Sequence, residues 1–117
     1  MKIHPYIYVG VEEILAHTKT PKEAIYDLTT ILARIQEVEI YDILSRGRKR
    51  ELVIARQMIC SILKKHYCLT LKKIGDLIGR DHSTIINNLE NHKNDCKNDE
   101  KYKRMYDYVL NQHINKW

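Results

Sequence analysis

At 117 residues the chain is long enough for one hydrophobic core and short for two, and with 44% apolar and 30% charged residues it has the composition of a chain that folds. No apolar run approaches the roughly 18 residues of a membrane span, and MKIHPYIYVGVEE lacks the regions of a signal peptide, so a cytoplasmic location and no membrane partner are expected. Three cysteines without C-x-x-C spacing (Cys60, Cys68, Cys96) indicate neither a disulfide framework nor a zinc knuckle, and no cofactor is implied.

Residues 1–20 read as an N-terminal extension and 21–117 as the domain. In the extension Tyr6-Ile7-Tyr8-Val9 can be extended and Val11 to Ala16 a short helix, covering the core of the later helices or forming a dimer contact. Thr20-Pro21-Lys22-Glu23 is a helix start, with Thr as N-cap, Pro at the first helical position and Glu closing a capping box. Ile25, Leu28, Ile31, Leu32 and Ile35 then recur at helical spacing, which predicts a helix over 21–36 with Tyr26, Asp27, Thr30 and Arg34 on its outer face.

A short apolar turn or helix, Tyr41 to Leu44, stops at Ser45-Arg46-Gly47-Arg48-Lys49-Arg50. Gly47 breaks the helix there, so Arg46, Arg48, Lys49 and Arg50 fan out from a loop. An Arg-rich loop suits the negative potential of a narrow DNA minor groove; it is equally what a solvated surface loop looks like. Charge distribution bears on the choice. Residues 1–45 carry 4 basic and 7 acidic side chains, 46–93 carry 11 and 4, and 94–117 carry 5 and 4. The positive block is where a polyanion would dock.

Glu51 to Tyr67 reads as the central packing helix, with Leu52, Ala55, Ile59, Ile62 or Leu63, and His66 on one face. Arg56 and Gln57, one turn after the basic loop, are expected to point outward with it. His66 has no second His or Cys at i+3 or i+4 and finishes the apolar face or the helix end.

Thr70 can cap a helix from Leu71 in which Leu71, Ile74, Leu77 and Ile78 face inward and Lys72, Lys73 and Asp76 face out. Gly79 tolerates the left-handed conformation that a sharp turn requires, and Asp81 caps a second helix, 82–91. Its expected inward residues are Ile85, Ile86 and Leu89. That leaves Asp81, His82, Ser83, Thr84, Asn87, Asn88 and Asn91 for solvent or for base edges, a face poor in helix formers and rich in groups that pair with bases. The expectation is an all-α, small helical bundle with a helix-turn-helix from Leu71 to Asn91, preceded by a basic loop. After Asn91 a polar loop or frayed helix end is expected. From about Asp99 a last helix follows with Tyr102, Met105, Tyr106 and Val109 as an apolar stripe, and His113 and Trp117 beyond it.

Arg46-Gly47-Arg48, Ala55-Arg56-Gln57, Leu71-x-x-Ile74-Gly75 and Gly79-Arg80-Asp81-His82-Ser83-Thr84 together resemble the C-terminal DNA-binding domain of the bacterial replication initiator DnaA family, in its order and nearly its spacing, over about Ile25 to Asn94. The resemblance implies that Arg48 enters the minor groove and that Asp81, His82 and Ser83 read bases in the major groove. It implies that Thr84 packs close to bases and backbone, and that Arg56, Gln57, Thr70, Leu71 and Lys72 hold phosphates. Arg80, Asn87 and Asn88 join the candidate DNA-binding set by their place on the turn and the recognition helix.

Departures are visible as well. The chain contains no G-x-x-x-x-G-K-[ST], so ATP-driven origin melting is not expected of these residues, and the domain is read as acting without the family's AAA+ ATPase module. Ile78-Gly79 stands where the family usually has a glycine pair, and Lys72 where a proline often starts the helix, which leaves the preferred DNA sequence open. The expected partner is double-stranded DNA, with other replication proteins as further candidates, and the expected state is a monomer, with a dimer as the alternative. The competing function class is a helical protein-interaction module or a regulator whose main partner is another protein, using Tyr6, Tyr8 and the C-terminal helix. Catalysis is not expected: Asp81 and His82 point apart on a helix, with no nucleophile and orienting group beside them.

Overall fold

A computed structural model describes residues 19–115, and these form six helices in the order α1 (Pro21–Gln36), α2 (Ile40–Ile43), α3 (Arg50–His66), α4 (Leu71–Ile78), α5 (His82–Asn98) and α6 (Glu100–Asn115). Residues 1–18 of the extension, with Tyr6, Tyr8 and the short helix expected there, and residues 116–117, with Trp117, lie outside the described residues. Helices α1, α4 and α5 begin at side-chain caps. At α1 the capping box is reciprocal: Glu23 N–H donates to Thr20 Oγ1 at 3.1 Å and Thr20 N–H to Glu23 Oε1 at 2.8 Å. Thr70 and Asp81 cap α4 and α5 through the N–H groups of Lys73 (3.1 Å) and Thr84 (2.8 Å).

Helix α3 is the axis of the bundle. It packs against α1, α2, α4 and α5, and every residue from Ala55 to Leu63 is buried. A helix covered on all sides cannot keep an outward polar face near its start, so the expected outward placement of Arg56 and Gln57 is overturned. Both side chains are taken inside, and each is satisfied there. Gln57 Nε2 donates to Asp95 Oδ2 of α5 at 3.0 Å and to the Tyr102 hydroxyl of α6 at 3.4 Å.

Helix α6 closes the bundle against α1 and α5, burying Tyr102, Tyr106, Val109 and His113. Asp27, expected on the outer face of α1, is buried because α6 brings His113 onto it. His113 Nδ1–H donates to Asp27, whose carboxylate also meets Lys19 Nζ at 3.3 Å, and His113 Nε2 sits 2.6 Å from the Tyr67 hydroxyl.

Helix α5 does not fray after Asn91. It continues to Asn98 because its inner line runs Ile85, Leu89, His92, Cys96, spaced by four, three and four, and packs on α3 and α6. Asp99 ends it and starts the next helix: its N–H donates to Asp95 O at 2.8 Å and its carboxylate accepts from Tyr102 N–H at 3.1 Å. Among the described residues, no helix is long and apolar enough to cross a membrane.

Candidate nucleic-acid interface

The helix-turn-helix is α4, the turn Gly79-Arg80-Asp81 and the first turns of α5. Gly79 sits at φ 71°, the left-handed conformation expected of it, and closes α4 by donating to Gly75 O. Arg80 N–H donates to the same oxygen at 3.0 Å. That double acceptance draws the turn onto Gly75, where a Cβ would stand 2.6 Å from the Arg80 carbonyl oxygen. Only a glycine fits there, which accounts for the Ile74-Gly75 pair in the sequence.

The turn presents Asp81, His82 and Ser83 to solvent, with Thr84 half-buried. The Asp81 carboxylate is held below the usual carboxylate range, first by the Thr84 backbone N–H, then by the Thr84 hydroxyl, with Arg46 and His82 adding positive charge. The basic loop is tied to this turn by Arg80, whose guanidinium donates to the carbonyls of Leu44 and Ser45. Asn87 is exposed as expected. Asn88 is turned inward instead, on the same side as Ile85, and its Nδ2 approaches Cys60 Sγ at 3.6 Å. Ile86 shows the reverse correction: expected in the core, it is 43% exposed, one turn after His82 and Ser83. Its hydrophobicity assigned it to the core, but its register, 100° from Ile85, takes it out.

In the basic loop, Arg46, Arg48 and Lys49 are exposed, and the side chains of Arg48 and Lys49 make no hydrogen bond or ion pair among the described residues. Arg50 begins α3 and faces Asp95 at 3.8 Å, a partly exposed pair that ties it to α5. Arg56 is 9% exposed: its Nε donates to Ile43 O and its Nη2 to Gly47 O, each at 2.6 Å. Burial, with Arg80 nearby, lowers its pKa. Arg80 donates to Leu44 O at 3.3 Å and to Ser45 O, and within its own turn to Gly79 O at 3.2 Å. Thr70 and Lys72 are exposed at the start of α4 with Leu71 half-exposed beside them, and Lys72 meets Asp76 at 3.1 Å.

The structure thus brings Arg46, Arg48, Lys49, Asp81, His82 and Ser83 to the surface around one turn, and withdraws Arg56, Gln57 and Asn88 from it. A shallow cleft lined by Leu71, Lys72, Gly75, Asp76, Arg80, Asp81 and His82 separates the two helices of the motif.

The family model described as bacterial DnaA protein helix-turn-helix matches residues 25–91. Relatives include the protein named chromosomal replication initiator protein DnaA from Oleidesulfovibrio alaskensis, 37% identical over 82 residues, covering 68% of this chain and 18% of that protein. The protein of the same name from Synechocystis sp. is 31% identical over 85 residues, covering 72% of this chain and 17% of its own length. The chain thus spans under a fifth of the length of these relatives. No solved structure matches it. With the family's helix-turn-helix matched over more than half of its length, the chain belongs to the bacterial DnaA helix-turn-helix family.

Proposed function

We propose that residues 21–117 bind double-stranded DNA with sequence preference, in replication initiation or its regulation. The start of α5 lies in the major groove and the basic loop reaches the minor groove. The observation that carries this reading is the direct tie between the basic loop and the turn before α5, where Arg80 donates to the carbonyls of Leu44 and Ser45 while Arg46, Arg48, Asp81, His82 and Ser83 stay exposed. Asp81, His82 and Ser83 supply hydrogen-bonding groups to base edges; Ile86 and the Thr84 methyl add apolar contact for thymine methyls. Arg48, unpaired and exposed, is the side chain for the minor groove. Thr70, Leu71, Lys72 and Lys49 meet phosphates and set register. The inner stripe of α6 is spent on the core, with Tyr102 and Tyr106 buried, and this weakens the competing reading in which that helix captures a protein. An asymmetric surface of this kind engages one site as a monomer.

A selection from random duplexes tests the proposal. One sequence class should be enriched, and binding to it should fall steeply with salt. Arg48→Ala should weaken binding by roughly tenfold or more, and His82→Ala should compress the gap between selected and scrambled duplexes, by an amount in the range of about 1–3 kcal/mol that a base contact supplies. No enrichment, or substitutions that leave duplex affinity untouched, would overturn it.

A further inference from the structure

The basic loop has exposed side chains, but the carbonyls that lead into it are held from the scaffold. Arg56 of α3 donates to the carbonyls of Ile43 and Gly47, both at 2.6 Å. Arg80, from the turn of the helix-turn-helix, donates to those of Leu44 and Ser45. Ser45 Oγ donates to Asp42 O at 2.6 Å and accepts from Gly47 N–H at 3.2 Å. Thus the carbonyls from Asp42 to Ser45, together with that of Gly47, are each held by a side chain. The other side of Gly47 is closed, since a Cβ there would stand 2.8 Å from Leu52 Cδ1. Two arginines in a basic block would ordinarily be assigned to phosphates. Here their guanidinium groups cap the end of α2 and the loop, a planar fork matched to neighbouring carbonyls.

We infer that Arg56 and Arg80 are positioning residues, and that the Arg80 bridge from the turn to Leu44 and Ser45 sets the spacing along the duplex between the minor-groove and major-groove parts of the site. The inference rests on the DNA-binding reading above. Arg56 holds the loop to the scaffold, and Arg80 holds it to the recognition element itself. A loop fixed to the turn presents Arg48 at one distance from His82, so the DNA must offer its two readable parts at one separation. Without the bridge the loop can follow either separation.

The test uses the duplex enriched by the full chain and two derivatives, one with a base pair inserted and one with a base pair removed between the segments protected in the two grooves. The wild-type chain should bind the altered duplexes at least about 30-fold more weakly, the cost of losing one groove's contacts. Arg80→Ala should lose affinity for the parent duplex while cutting that spacing penalty to within about threefold, a change of ratio. Arg80→Gln, which keeps a donor for Ser45 O, should retain an intermediate penalty and guards against a variant that does not fold, with thermal melting run on both. Equal weakening on all three duplexes would make Arg80 a phosphate contact or a mere stabiliser and would overturn the inference. So would an unchanged penalty in a folded Arg80→Gln and Arg80→Ala pair. Failure of the wild-type chain to select any duplex would instead strike the DNA-binding reading itself.

Discussion

Helix α5 carries two histidines ten positions apart, and they have opposite fates. His82, at its first position, is exposed at the tip of the helix-turn-helix. His92 is buried between the rings of Tyr102 and Tyr106, with centroids 5.5 and 4.4 Å away, and its Nδ1 is 2.7 Å from the Tyr102 hydroxyl. What separates them is α6, which covers the second half of the helix and leaves the first half bare. A single continuous helix thus has an exposed polar end, to which the proposed function assigns base reading, and an end that is packed against α6.

Removing the covered histidine should have the largest effect on this division. His92→Ala empties a site between two rings and weakens the satisfaction of the buried Tyr102 hydroxyl, which should cost about 3 kcal/mol in a chemical or thermal melt. The folded variant should still discriminate selected from scrambled duplex as the wild type does. The same residue predicts a pH dependence. Burial, the first cause, and Lys65 nearby push the His92 pKa from 6.5 down to about 4. The unfolded chain therefore takes up the proton first as pH falls. This contribution to stability is present above about pH 6.5, declines between 6.5 and about 4, and changes no further below that. His92→Gln should remove that part of the slope. An unchanged slope in His92→Gln would assign it to another group.

The second test acts at the exposed end, where Asp81 caps α5 and is also proposed to read bases. Asp81→Ala removes the acceptor of the Thr84 N–H and should cost about 1 kcal/mol of stability together with a change in the preferred bases. Asp81→Asn keeps a capping oxygen, so stability should return to near wild type while the base preference stays altered. If Asp81→Asn restores both, the residue acts as a cap only and the reading face shrinks to His82 and Ser83.

How much of this was legible in the sequence depends on whether a residue's role is decided locally. Helix starts at Thr20, Thr70 and Asp81 and the left-handed Gly79 are consequences of a few adjacent residues, and they stand where the pattern places them. So does the stripe of α6. Arg56, Gln57, Asp27 and Asn88 depart from the expected placement because a polar side chain need not be exposed when it meets a partner elsewhere in the fold, here Gly47, Asp95, His113 and Cys60. Periodicity alone could have flagged two of them, since Arg56 and Gln57 adjoin Ala55 and Met58 on a helix apolar on several faces. The persistence of α5 to Asn98 was hidden for a similar reason. His92-Lys93-Asn94-Asp95-Cys96 looks like a loop by composition, yet His92 and Cys96 lie one turn apart, Sγ to Nε2 3.4 Å, against a helix the local sequence does not announce.

The smallest effect is expected at two lysines of equal charge on different helices, Lys72 and Lys97. Lys72 is exposed at the start of α4 and its pair with Asp76, 3.1 Å apart, lies in solvent. Lys97 is exposed in the last turn of α5, in the half of that helix assigned a structural role. Replacing either by Ala should shift stability by less than about 0.5 kcal/mol, since exposed pairs and surface charges contribute little. Their effects on DNA should differ. Loss of one phosphate contact lowers the slope of log affinity against log salt by about 1, so Lys72→Ala should flatten the salt dependence by that amount, and Lys97→Ala should leave it unchanged. Equal flattening by both would mean that DNA senses the positive charge of the whole domain, and the bare end of α5 would lose its claim to be a distinct binding face.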